Sequence, residues 1–303
     1  MRTAAFAVPA ALTIAVIAVS SSAPLIAYAE APALAIAFWR NALGLVVIVP
    51  AALIRHRAQL LGLARPAGRR TLLVCVLAGL ALAVHFGTWV PSAQMTSVAT
   101  ATALVSTMPV WSALIATLQG SRPQWATIAG IGVAVAGTAL ATGADLQVST
   151  RAVTGDILAL VGGLAAAVYA ALGERARASL STTVYTAVCY STCALALLVV
   201  CLVFGVRLGG YPAAAWLAIV GLTAGPQLLG HSMLNFALHK VSATTVSVLM
   251  LLEIPGAALL GWLWLDQLPP RASWPGLLIV MLGVAVVVLG TARRSRVIST
   301  DLG

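Results

Sequence analysis

The stretches HFGTWVPSAQMTSVATATALVSTMPVW, residues 85–111, and HSMLNFALHKVSATTVSVLMLLEIPGA, residues 231–257, read as two copies of one segment. Aligning Pro109 with Pro255 gives an offset of 146, and the same offset pairs His85 with His231, Gln94 with Lys240 and Thr96 with Ser242. Earlier in each half, AIAFWRNALGLVVIV (35–49) sits against TAVCYSTCALALLVV (186–200) at an offset of 151, the arginine-rich loop between them absorbing the difference. The second copy also carries one carboxylate, Glu253, inside an apolar run that contains a proline. Its meaning depends on the solvent around that run.

Composition settles the solvent. Of 303 residues 61% are hydrophobic and 8% charged, with a mean hydropathy of +1.04, whereas a globular chain is about 25% charged. An all-α polytopic membrane protein is expected. A hydrocarbon core of about 30 Å takes roughly 20 apolar residues at 1.5 Å each. Windows of that length fall at 5–26, 33–53, 71–91, 97–118, 125–143, 155–173, 184–204, 212–236, 242–265 and 274–291, ten transmembrane helices in all. Residues 1–146 hold the first five, 147–293 the second five, and 294–303 form a tail. Because five is odd, the second copy enters the membrane from the opposite face, and the halves form an inverted repeat.

Charge orients the bundle. Arg2, the cluster Arg55, Arg57, Arg65, Arg69 and Arg70, then Arg122, Arg175, Arg177, Lys240, Arg293, Arg294 and Arg296 fall on one side. Arg151, Arg207 and Arg271 fall on the other, and Arg40 lies within a span. The positive-inside rule puts both termini in the cytoplasm, as in a multi-pass protein of the cytoplasmic membrane. The net charge of +10 follows from loops beside an anionic leaflet and gives no reason to invoke nucleic acid. The N-terminus also resembles a secretory signal, with Ala27-Tyr28-Ala29 before Glu30. Nine further spans and a counterpart in the second half favour reading it as the first span. Cys75, Cys189, Cys193 and Cys201 are too sparse for a zinc site and read as small apolar fillers, so no metal is expected.

Inverted repeats place a binding site near the bilayer midplane and expose it to each side in turn by rocking one half against the other. A small-molecule substrate, the lipid bilayer and a coupling proton are the partners this implies. No glycine-rich phosphate loop, clustered nucleophile and base, or His-rich spacing is present, which argues against ATP hydrolysis, an enzyme or a cofactor. The loops leave no room for the output domain of a membrane sensor or scaffold.

The arrangement resembles a known family. RNALG (40–44), STMPVWSALIATLQG (106–120) leading to RPQW (122–125), and LLEIPGAALLGWLWLDQLPP (251–270) look like EamA repeats of the drug/metabolite transporter superfamily. The chain departs from the Gly-Glu pair that often closes those spans, having Gly120-Ser121 and Asp266-Gln267 there. The resemblance implies secondary transport, commonly export, of small metabolites such as amino acids. It also implies a cavity lined by the first, third, fourth, sixth, eighth and ninth spans. Drug or multidrug efflux is the alternative, and a non-transporting membrane sensor or scaffold the lesser one.

Candidate cavity residues are His85, Trp89, Trp111, Tyr169, His231, Asn235 and Glu253. Glu253 lies eleven residues into its span, about 16 Å from the cytoplasmic edge and close to mid-depth. An acid there is costly when ionised, so it reads either as a proton-coupling group with His231 as relay or as a hydrogen-bonded structural acid. The two histidines suit proton relay or, as readily, a neutral ring bonded to a backbone carbonyl. Arg40 reads chiefly as a structural charge paired with Glu30 or helix-end carbonyls, and alternatively as a substrate-carboxylate ligand. Trp262 and Trp264 suit interfacial anchors. Gly130, Gly132, Gly137, Gly162 and Gly163 are expected to allow close helix approach. Pro109 and Pro255, each removing a helical hydrogen bond, read as paired kinks or hinges.

Overall fold

The computed structural model describes residues 2–95, 98–120, 124–142, 150–265 and, apart from 277, 280 and 284, 275–286. Among these, every regular element is helical. In chain order they are α1 (Arg2–Ser20), α2 (Ser22–Tyr28), α3 (Ala33–Arg55), α4 (Arg57–Ala64), α5 (Arg69–Met95), α6 (Val98–Val105) and α7 (Met108–Leu118). Then come α8 (Trp125–Thr142), α9 (Thr150–Arg177), α10 (Thr182–Val203), α11 (Ala213–Leu222), α12 (Ser232–Ala237), α13 (Ala243–Met250) and α14 (Glu253–Leu265). Between α11 and α12 the segment Thr223–His231 winds in wider π-type turns.

Among the described residues, seven stretches are long and apolar enough to cross a membrane: Val8–Tyr28, Ala33–Arg55, Pro66–Met95, Val153–Arg177, Thr182–Val203, Ala213–Ala237 and Ala243–Trp264. Two shorter apolar helices, Met108–Leu118 and Trp125–Gly137, fall in the expected fourth and fifth spans. Much of the expected tenth span, 274–291, lies outside the described residues, as do Ser121, Asp266 and Gln267. The protein is a polytopic membrane protein. Its outward faces carry largely exposed Val46, Ile54, Leu118, Leu202 and Val203, a surface that water would penalise and lipid accepts.

Local sequence explains the interruptions. Ser20 and Ser21 turn their hydroxyls back onto the Val16 and Ala18 carbonyls, each at 2.7 Å, where α1 gives way to α2; such back-bonding competes with the helical ladder. Pro109 has no N–H for the Val105 carbonyl, nor Pro255 for that of Leu251. The chain breaks just before each proline, at Ser106–Thr107 and at Leu251–Leu252. After the second break the tighter Ile254 N–H reaches the Leu251 carbonyl at 3.3 Å. Ser181 and Ser242 cap α10 and α13 by accepting from the Val184 and Thr245 N–H groups. Gly120, at φ +85°, closes α7 in a conformation that side chains resist.

The helices pair reciprocally across the halves. α5 lies along α9, and α1 lies against Thr223–His231 and α12. α9 also meets α6 and α7, as α1 meets α13 and α14, while α3 and α10 pack on each other. Exchanging the halves exchanges these pairings, as two copies of one helical unit require. Small residues set the closest approaches. A Cβ at Gly79 of α5 would lie 2.7 Å from the Cys189 carbonyl oxygen, and one at Gly163 2.9 Å from that of Val105. Gly162 is likewise tight, 3.2 Å from the Trp89 Cβ, but Gly132 has nothing within 4 Å among the described residues. The four cysteines are free and buried, with the Cys189 thiol donating to the Cys75 carbonyl at 3.3 Å. Trp262 and Trp264 are exposed.

Candidate functional site

The broken helices and the wide turns converge on one cavity of about 90 Å³. α5 supplies His85, Phe86 and Trp89, and α9 supplies Tyr169. Val105 and Ser106 come from the first break, Met250, Leu251 and Glu253 from the second. Pro226, His231 and Asn235 come from the wide turns and α12, Ser22 from α2, and Arg40 from α3. Both halves therefore contribute to one chamber.

Arg40 is the cationic member of this lining and is entirely buried. Its Nε donates to Gln227 Oε1 at 3.0 Å, and the Gln227 amide donates to Asn41 Oδ1 at 2.9 Å. Asn41 is fixed in turn by donating to the Ala37 carbonyl at 2.9 Å. Tyr190 pins the wide turns by donating to the Gln227 carbonyl at 3.2 Å. One face of the guanidinium rests on Phe86, 4.1 Å from the ring centroid, a cation–π contact. Nη1 and Nη2 have no protein hydrogen-bond partner among the described residues. The expected partner Glu30 is exposed, so the pairing with Arg40 anticipated from sequence is replaced by Gln227 and Phe86.

The aromatic wall is ordered by hydrogen bonds. His85 Nδ1 lies 3.0 Å from the Gly162 carbonyl; since a carbonyl only accepts, the proton is on Nδ1. His85 stacks on Trp89 with ring centroids 5.9 Å apart and stands 6.4 Å from His231. His231 meets Phe86 edge-on at 5.2 Å and Tyr169 at 6.3 Å. Tyr169 Oη donates to Asn235 Oδ1 at 2.9 Å, an alternative to accepting from Asn235 Nδ2 at 2.6 Å. Arg177 Nε holds the Asn235 carbonyl at 2.9 Å. Glu253 lines the same chamber, within the electrostatic field of Arg40. Among the described lining residues, the buried polar atoms without a partner are Arg40 Nη1 and Nη2, Trp89 Nε1 and His231 Nδ1.

Of the sequence candidates, His85, Trp89, Tyr169, His231, Asn235 and Glu253 come together around the cavity. Trp111 does not line it; its indole donates to Thr107 Oγ1 at 3.2 Å, within its own half. Pro109 and Pro255 stand immediately after the two helix breaks. Gln227 and Asn41 were absent from the sequence candidates. The signal available for them was an amide adjoining Arg40 and another beside Pro226, at the depth where a buried guanidinium needs acceptors. Among the described residues no group of three or more His, Cys, Asp or Glu could hold a metal.

A chamber walled by both halves of a polytopic helical membrane protein, where paired helices break, fits the class of membrane carriers. The chain belongs to the EamA-like transporter family, which it matches over residues 3–143 and 153–289. It is similar to a probable terminal-alkyne amino-acid exporter of Streptantibioticus cattleyicolor, 28% identical over 204 residues that span 66% of this chain and 67% of the relative. A solved crystal structure shares the fold with a TM-score of 0.78 at 22% identity, covering 94% of this chain and 98% of the other.

Proposed function

We propose that the protein is a secondary transporter of the cytoplasmic membrane that exports small metabolites, amino acids or related amphipathic compounds, by alternating access. It has ten spans as two inverted repeats, 1–146 and 147–293, with both termini in the cytoplasm. The observation that carries this reading is the chamber to which both halves contribute, because a site at the repeat interface is what rocking exposes to each side in turn. Pro109 and Pro255 act as the hinges, since helices already broken beside them bend there at least cost. Glu253 couples transport to protons, with His231 as relay. A lone carboxylate at mid-depth sheds its burial cost by binding a proton. His85, Trp89, Tyr169 and Asn235 contact the substrate. The similarity to an amino-acid exporter supports the substrate class, and the apolar, aromatic lining supports amphipathic cargo.

The test is accumulation of radiolabelled amino acids by respiring inside-out membrane vesicles, whose acidic, positive lumen drives protons out as solute moves in. Accumulation that collapses with a protonophore is expected. Vesicles rich in the protein that move no more solute than empty ones, across amino acids, amines and cationic dyes, would show that it is not a carrier.

A further inference from the structure

We propose that Arg40 is the anchor for the substrate's carboxylate, which makes the cavity a site for zwitterions with the anionic end toward α3. This rests on the transport reading above and adds to it a residue and a charge pattern. A guanidinium has five N–H donors in a planar fork. Here the Nε–H is committed to Gln227 Oε1 at 3.0 Å, and the flat face is covered by Phe86 at 4.1 Å. The edge formed by Nη1 and Nη2 has no protein acceptor among the described residues, although the residue is wholly buried and lines the chamber.

Leaving such an edge unmet in an apolar interior is costly, and structural arginines in membranes find fixed partners. The protein spends three groups, Gln227, Asn41 and Phe86, on holding the fork in place without meeting that edge. Two parallel N–H groups at that spacing match the two oxygens of a carboxylate. Arg40 is the sole cation among the described lining residues and Glu253 the sole acid, so the chamber offers one positive and one negative charge. A phosphate dianion would be under-compensated. A zwitterion whose ammonium turns toward Glu253 leaves the occupied chamber neutral. Trp89 Nε1, a donor without an acceptor, adds a second contact for an anionic or carbonyl oxygen. Arg40 has no exposed surface in this conformation, so occupying it uses the rearrangement that alternating access supplies.

Counterflow in proteoliposomes tests the assignment without a proton gradient. The liposomes are loaded with unlabelled L-propargylglycine or a mixture of proteinogenic amino acids, and labelled amino acid is added outside. Competitors are L-propargylglycine amide, which lacks the carboxylate, and 4-pentynoic acid, which lacks the amine. In the wild-type protein the free amino acids should exchange, and each analogue should compete at least about tenfold more weakly than L-propargylglycine or the best exchanged amino acid. Arg40→Gln should lower exchange by more than about tenfold, and Arg40→Lys should recover part of it, keeping the charge and losing the fork. The analogue series uses the unmodified protein, so a poorly folding variant does not decide the question. Amides competing as well as acids, or exchange by a monodisperse Arg40→Gln protein at the wild-type level, overturns the inference. Exchange confined to cationic or neutral solutes overturns it while leaving the transport reading intact. No exchange of any solute overturns both.

Discussion

Replacing Gln227 with leucine should loosen the anchor of Arg40 from a distance and cost a calculable amount of stability. The side chain is fully buried and makes two interhelical bonds, from Arg40 Nε at 3.0 Å and to Asn41 Oδ1 at 2.9 Å. A neutral bond between membrane helices contributes about 0.6 kcal/mol, because the unfolded chain in the bilayer also finds partners. A bond from a charged donor contributes about 1.5 kcal/mol. Leucine is close in size, so packing changes little and the loss should be about 2 kcal/mol, or about 30-fold in the unfolding equilibrium. Gln227→Glu is the contrasting variant. It sets a carboxylate against the Arg40 Nε, gives up the N–H that Asn41 Oδ1 accepts, and suppresses transport by engaging the charge. Reversible unfolding in mixed dodecyl maltoside and SDS micelles, followed by tryptophan fluorescence, measures the first effect, and counterflow measures the second. An unchanged unfolding midpoint in the leucine variant, together with normal transport by the glutamate variant, would refute the reasoning.

Gly79→Ala should destabilise the bundle by about 1–3 kcal/mol in the same unfolding assay, because its new Cβ meets the Cys189 carbonyl at 2.7 Å and Thr192 Cβ at 2.6 Å. Gly132→Ala, with nothing within 4 Å, should be neutral or stabilise slightly through the better helix propensity of alanine; equal losses at both sites would contradict the packing described. Reporter fusions after Arg296 and within the Arg55–Arg70 loop should both read cytoplasmic and a tag near residue 148 external. An external C-terminus would sink the inverted ten-span arrangement.

The bilayer makes much of this architecture readable from sequence. Each crossing demands a long apolar run, so the spans at 33–53 or 184–204 can be found within a few residues of α3 and α10. His85 and His231 are legible because a duplicated chain repeats its polar exceptions in register. Side-chain direction is harder to read. Trp111 follows the break at Ser106–Thr107, which resets the helical phase, and its indole ends on Thr107. Arg40 was expected to be paired structurally, since its span was placed outside the cavity lining, yet its long side chain reaches between helices to the chamber. The wide turns at Thr223–His231 that bring Gln227 to Arg40 leave no periodicity signal in so short a segment. Pro226, which cannot donate to Leu222, is the local cue that the ladder changes there.

The central claim is that a proton on Glu253 drives the carrier, and Glu253→Gln tests it most directly. Glutamine keeps the shape and a hydrogen-bonding face while removing the exchangeable charge; Arg40, His85, His231 and Tyr169 line the same chamber and are left unchanged. In proteoliposomes at matched protein levels, gradient-driven accumulation should fail in the glutamine variant. Exchange without net proton movement should persist but weaken, because the substrate ammonium keeps only the glutamine oxygen as acceptor, and Glu253→Leu should impair both. Full proton-driven accumulation by Glu253→Gln would contradict the account and leave Glu253 a structural acid.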